Sequence, residues 1–323
     1  MKSTSTRRAL LAATLALAAP FASAQSDFPN KPIRLLVGYS AGGGVDALAR
    51  MLSTRLPAVL GQQVIVENRA GATGMIAADL VARAAPDGYT LLMGESGLLV
   101  APHLQARVPI DPLKALTPVA GAFVAPLLIV TNNNLPAATP AELAALLKKN
   151  PGRYSYATSG VGTVHHLGFE MMKARTGSFV VHVPYRGAAQ IIPDVISGQL
   201  PIGVVSAASG LAQARSGKLR PLAFMNTSKL PGSETVPAMS DLLPGFDVAP
   251  RLMVLAPSVT PPAVVDRLSE AVRTVLASSE VAQAAAQQGA IPAYLTPSQL
   301  GPEMQRESTE WARVIKDQKI AAE

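Results

Sequence analysis

Apolar positions along the chain follow two rhythms. Ile33-Arg34-Leu35-Leu36-Val37 is a short β-rich run, the pattern of a buried central strand. It runs into Gly38-Tyr39-Ser40-Ala41-Gly42-Gly43-Gly44-Val45-Asp46, after which apolar residues recur at Leu48, Met51, Leu52, Leu56, Val59 and Leu60. That spacing is one face of a helix, which Pro57 should kink or end early. With Val64-Ile65-Val66 next, the unit reads strand, glycine loop, helix, strand, a right-handed crossover.

A second such unit begins at Arg153-Tyr154-Ser155-Tyr156-Ala157. There the glycine loop is Thr158-Ser159-Gly160-Val161-Gly162-Thr163, and Leu167, Glu170, Met171 and Ala174 mark a helix ending before Gly177. A strand at 179–183, a turn Pro184-Tyr185-Arg186-Gly187, a short helix and a strand at 200–205 follow. Thr139-Pro140-Ala141-Glu142 is a capping box for a helix at 141–149, and Thr296-Pro297-Ser298-Gln299 opens the last helix, which carries the sole tryptophan, Trp311. The expected fold is α/β and two-lobed. Residues 26–125 with 250–323 form lobe I and 126–249 form lobe II, with Leu127–Thr131 and 252–255 as the strands crossing between them.

Residues 1–24 change the reading of charge. Lys2, Arg7 and Arg8 precede an apolar stretch at 9–19 and an Ala22-Ser23-Ala24 cleavage site, the order of a secretory signal peptide cleaved after Ala24. Its twin arginine leaves both the general secretory and the twin-arginine route open. Removing it takes away three of the 28 basic residues and none of the 21 acidic ones, so the formal charge drops from +7 to +4. No later apolar run reaches ~18 residues, and the chain has no cysteine for a lipid anchor or disulfide. The mature protein is expected free in the periplasm, where ATP and NAD(P) are scarce. With 49% hydrophobic and 15% charged residues it is neither disordered nor a basic nucleic-acid binder.

Both glycine loops suit anion capture. The first turn of a helix carries N–H groups without intrahelical partners, the helix dipole is positive there, and glycine lets a ligand approach the backbone. For the first loop the alternative is a tight turn in which Asp46 satisfies those donors. The pair of loops favours a ligand between two lobes.

Other chemistries fit less well. Gly42-Gly43-Gly44-Val45-Asp46-Ala47 matches a dinucleotide fingerprint, with Glu67 near the ribose-binding position, but export and the lack of a hydride-transfer constellation oppose it. There is no phosphate-binding P-loop. The four histidines, His103, His165, His166 and His182, make no zinc pattern, since helical neighbours point ~100° apart. Either one of His165 and His166 packs and the other is exposed, or His165 hydrogen-bonds a ligand carboxylate. No cofactor, metal, nucleic acid or enzymatic activity is expected; an exported α/β enzyme using Tyr39, Asp46 or His165 is the alternative.

Across residues 25–323 the chain resembles the periplasmic substrate-binding proteins of tripartite tricarboxylate transporters, the Bug family. The resemblance rests on Ala41-Gly42-Gly43-Gly44-Val45-Asp46, on 60–69 ending Glu67-Asn68-Arg69, on Pro86-Asp87-Gly88-Tyr89, on 156–163 with His166-Leu167, on Val183-Pro184-Tyr185-Arg186-Gly187 and on 216–223. It implies a Venus-flytrap fold that grips a small carboxylate, largely through loop backbone, and hands it to an integral-membrane permease, acting as a monomer.

Carried over, the resemblance places Tyr39, Ser40, Ala41, Gly42, Gly43 and Asp46 around the ligand, with Ser96 completing that wall. Thr158, Ser159, Gly162 and Thr163 close from the second lobe, with Tyr185 and Arg186 beside them, while Asn68 and Arg69 are structural. The chain departs from the family pattern by having Gly38 and Ala70 where prolines are usual, which should loosen both loops, and Arg251 where a tryptophan is usual. Arg251 either enters the cleft to pair bidentately with a carboxylate or lies outside as a solvated charge. Pro201 and Val205 replace acidic residues of some relatives, which disfavours an amino-acid ligand.

Overall fold

The computed structural model describes residues 28–185 and 188–321. The leader with its cleavage site, and Arg186 with Gly187, lie outside the described residues. One sheet holds β1 (Ile33–Val37), β2 (Val64–Asn68), β3 (Thr90–Glu95), β4 (Leu116–Val124), β10 (Arg251–Pro257) and β11 (Ile291–Leu295), in the order β11-β4-β10-β3-β1-β2. The other holds β5 (Leu127–Thr131), β6 (Ser155–Thr158), β7 (Val181–Pro184), β8 (Ile202–Ser206) and β9 (Arg220–Phe224), in the order β7-β6-β8-β5-β9. Both are mixed sheets flanked by helices, a two-lobed α/β fold.

The first sheet's helices are α1 (Gly44–Arg55), α2 (Pro57–Leu60), α3 (Met75–Ala82), α4 (Gly97–Leu104), α5 (Pro112–Ala115), and later α10 (Pro262–Leu276), α11 (Ser279–Gln287) and α12 (Pro297–Asp317). The second sheet's are α6 (Pro140–Lys149), α7 (Val164–Thr176), α8 (Ala188–Ser197) and α9 (Ala207–Arg215). Local chemistry sets their ends. α1 stops at Arg55 and Pro57 opens α2, because proline lacks the N–H that would continue a helix but suits its first position. Gly177, at φ 65°, ends α7 in the left-handed conformation. Thr296 and Gln299 exchange both bonds of a capping box.

Strand alternation divides the first sheet between two cores. Leu35, Val37, Leu91, Met93, Leu252 and Val254 meet α1 and α10. Leu36, Leu92, Met253 and Leu255 face the other way onto α3, α4 and α12, in a cluster that continues through Ile129, Tyr156, Leu167 and Phe169 of the second lobe. α12 packs on α4, β4 and α7, bridging the lobes.

The strands expected to cross between lobes do not. β5 belongs wholly to the second sheet and β10 wholly to the first, because their fully apolar interiors suit central strands rather than a solvated crossing. The crossings lie just before them, where the Ala125 amide donates to the Pro250 carbonyl at 2.9 Å.

Register fixes which sheet edges face each other. Leu252 pairs with Glu95 and Arg251 with Val124, so β4 leaves its sheet at the edge where β1 and β3 end. Leu127 pairs with Ser206, and β8 is parallel to β6, so β5 enters at the edge where β6 and β8 end. Both glycine loops therefore leave edges that face the crossing.

Candidate ligand-binding site

The first-lobe loop is held from behind. Gly38 is buried, and a Cβ there would sit 2.4 Å from the Gly74 Cα. Instead of loosening the loop, this glycine permits a close backbone approach. The Asp46 carboxylate, 2% exposed, accepts from the Gly42 amide (2.8 Å), the Arg50 Nε (3.0 Å) and the Asn68 Nδ2 (2.9 Å). Burial works to raise its pKa, but the hydrogen bonds from Arg50, Gly42 and Asn68 outweigh it and hold the carboxyl below its usual range. Asp46 thus shapes the loop but does not cap α1, whose N-terminus at Gly43 has no side-chain hydrogen bond. Ser40, Ala41, Gly42, Gly43 and Gly44 are all exposed at that helix start.

Asn68 also donates to the Tyr39 carbonyl at 3.1 Å. Glu67 is taken by Arg34 (2.7 and 3.0 Å) and Arg69 (3.3 Å), so it is not a free ribose acceptor. Tyr39 donates its hydroxyl to Glu95 Oε2 at 2.7 Å, and the same oxygen accepts the Gly97 amide at 3.1 Å. Burial, then the Glu95 charge, push the Tyr39 phenol well up, and burial raises Glu95 itself. Ser96 is fully buried. Its Oγ accepts the Arg251 amide at 2.9 Å and its own amide donates to the Arg251 carbonyl at 3.1 Å. It joins β3 to β10 and presents no wall to a cleft.

The sequence reading missed a neighbouring segment. Gly71 (φ 134°), Ala72 (47°), Thr73 (52°) and Gly74 (89°) all have positive φ, a costly run for the two non-glycine residues. Gln105 Nε2 donates to Thr73 Oγ1 at 3.3 Å. Next to Gln105, Leu104 reaches the second lobe: a Cβ on Gly162 would lie 2.1 Å from Leu104 Cδ2. This segment and the end of α4 thus link the surroundings of Tyr39 to the second loop. The flanking Gly71 and Gly74 were the available signal.

In the second-lobe loop most hydroxyls are spent internally. Thr158 is fully buried and its Oγ1 meets His182 Nε2 at 2.7 Å. Thr163 caps α7 by accepting the His166 amide at 3.3 Å and donates to the Gly160 carbonyl at 2.9 Å. The Gly162 amide, with φ 74°, donates to His166 Nδ1 at 3.1 Å. Tyr185 donates to Asp194, a bond that pushes its phenol up to about 12. Among the described residues, the side chains of Ser40, Ser159 and His165 make no hydrogen bond within the protein. Burial lowers His165 to about 4, so it is neutral at physiological pH.

Arg251 lies apart from both loops. It lines a cavity of about 160 Å³ between β10, α12 and Asp247–Val248 of the second lobe, and none of residues 39–44 or 158–163 lines that cavity. Nη2 is 3.3 Å from Glu303 Oε1, and Nε is buried without a partner. It is neither a solvated surface charge nor a loop neighbour. Beside it, burial pushes the Glu307 carboxyl from 4.5 up to about 7 against the opposing bonds from Ser96 and Trp311. The folded protein keeps this proton where the unfolded chain gives it up, so stability falls as pH rises from 4.5 to about 7, by at most about 1.4 kcal/mol per pH unit. Glu307→Gln should therefore raise the melting temperature relative to wild type near neutral pH and above, with the gain disappearing near the carboxylate's ordinary pKa. A pH-independent difference in melting temperature would disprove the assignment.

Residues 48–320 match the family model described as "Tripartite tricarboxylate transporter family receptor". The chain belongs to that receptor family. The receptor is 35% identical over 308 residues to Protein BugT of Bordetella pertussis, covering 94% of each chain. Among solved structures it resembles a Rhodopseudomonas palustris protein solved with adipate, at 29% identity and a TM-score of 0.76, covering 91% of this chain and 99% of that one. It also resembles MatC of the same organism with bound malate, at 28% identity and a TM-score of 0.70, covering 89% and 100%. The family is one of solute receptors, not of enzymes.

Proposed function

We propose that the mature protein, exported to the periplasm and cleaved after Ala24, binds a small dicarboxylate between the two glycine loops and delivers it, as a monomer, to the integral-membrane permease of a tripartite tricarboxylate transporter. The observation that carries the reading is the uncapped start of α1, where Ser40–Gly44 are exposed while Asp46 is turned back to the loop. Amides at such a terminus attract anions. Ser159 and neutral His165 supply an unspent hydroxyl and imidazole on the second lobe, where His165 can donate one hydrogen bond to a carboxylate oxygen. The structures holding adipate and malate point to the same ligand class.

Isothermal titration and thermal denaturation with malate, adipate, citrate and benzoate test this. A dicarboxylate at about 100 times its Kd should stabilise the protein by about 2.7 kcal/mol and be recovered chemically unchanged. Stabilisation by none of the acids, or conversion of any one, would overturn the proposal.

A further inference from the structure

The second-lobe loop is tied at both ends to one pair of stacked rings. His166 and His182 lie with centroids 3.9 Å apart and planes 14° from parallel. His182 Nε2 holds the loop's first residue through Thr158 Oγ1 at 2.7 Å, and His166 Nδ1 accepts the Gly162 amide at 3.1 Å. An imidazole accepts at a nitrogen only when that nitrogen carries no proton, so neutral His166 is the tautomer protonated at Nε2. That N–H points toward Glu170 Oε1, 3.7 Å away. Glu170 is itself fixed by Lys173 Nζ at 2.7 and 2.8 Å and by the Tyr156 hydroxyl. Tyr156 completes the stack, 4.9 Å from His182 and 6.4 Å from His166.

We propose that His166 is a positioning residue which, through its Nδ1 and the stacked His182, holds the 158–163 loop in its solute-binding shape, so that acid protonation of the pair releases the loop and the solute. This rests on the receptor reading for its solute, but the coupling of ring to loop can be read without one. A cavity of about 370 Å³ beside the pair is lined by His166, His182, Glu170, Lys173, Gln318 and Ile320, among others. The charged or titratable groups facing the rings are Glu170 and Lys173 from α7 and Tyr156 from β6. Burial first, and then Lys173, hold His166 near 4; His182 is also held near 4 by burial and by His166, with Glu170 opposing. Both lie below the unfolded value of 6.5. The neutral, loop-holding state therefore persists in the folded protein until pH falls through about 4, while its contribution to stability is complete above 6.5 and declines between 6.5 and about 4.

The test compares wild type, His166→Phe, which keeps the stack but has no acceptor, and His166→Asn, whose amide oxygen replaces Nδ1 without titrating. In wild type, ¹⁵N spectra should show His166 protonated at Nε2 alone, and the Gly162 amide should be protected from hydrogen exchange. Protection should vanish in His166→Phe and persist in His166→Asn. Malate affinity should fall about tenfold in His166→Phe, the factor expected when a buried amide loses its acceptor. It should change little in His166→Asn, which should also keep Gly162 protected at acid pH, where wild type loses that protection while far-UV circular dichroism is still native; the Thr158 tie to His182 stays acid-sensitive in both.

A proton on His166 Nδ1, equal Gly162 exchange in all three proteins, or unchanged malate affinity in His166→Phe would overturn the proposal. Wild type that binds neither malate nor adipate while Gly162 still responds to His166 would sink the receptor reading and leave the coupling of ring to loop standing.

Discussion

Gly162→Ala is expected to weaken malate binding while leaving the rest of the fold intact. Two separate costs act at this position. The φ of 74° is left-handed, which costs a residue with a Cβ about 1–2 kcal/mol. The new methyl also lands 2.1 Å from Leu104 Cδ2 on the other lobe. Leu104 must rotate away, which takes its side chain off the loop, or the lobes must separate. The double variant Leu104→Ala with Gly162→Ala separates the two costs. It should restore affinity lost to the clash while keeping the lowered melting temperature caused by backbone strain. Calorimetric titration with malate, with small-angle scattering to follow lobe separation, reads both. Wild-type affinity in Gly162→Ala would show that Leu104 and Gly162 do not set the distance between lobes.

The second large effect belongs to Lys173. Its ammonium and the Glu170 carboxylate are 8% and 5% exposed residues bonded at 2.7 and 2.8 Å. Removing one partner of a buried ion pair strands the other's charge, which costs about 3–5 kcal/mol. Lys173→Met should fall near the lower figure, since the Tyr156 hydroxyl still donates to Glu170. The double variant Lys173→Met with Glu170→Gln should recover most of the loss, because neither charge then remains buried. Chemical denaturation of the single and double variants measures this. Equal stability of the two would mean that a stranded Glu170 charge is not the source of the loss.

Fold class was legible because period and punctuation agreed. Alternating apolar runs, glycine after β1 and β6, and capping residues at Thr139 and Thr296 each mark an element by local chemistry. The site was legible in part. Glycine loops and Asp46 stood out as residue types, but the partner of each polar group is set by tertiary packing. Nothing in the order of residues says that Ser96 is buried against Arg251, that Asp46 turns to Gly42, or that Arg251 joins Glu303 fifty-two positions away. His182 was invisible as a site residue for the same reason. It lies on β7 and meets Thr158 only because those two strands pair. The positive-φ run at Ala72 and Thr73 escaped notice because only its flanking glycines are conformationally suggestive.

The apolar cluster shared between the halves has a mechanical consequence. Leu36 and Leu92 on one side and Tyr156 and Phe169 on the other belong to one continuous interior with Trp311 of α12 in it. Swinging the clamshell wide would wet that interior, at roughly 25 cal/mol for every Å² of oily surface uncovered. Any motion that parts the two halves therefore costs free energy in proportion to the shared interior it uncovers.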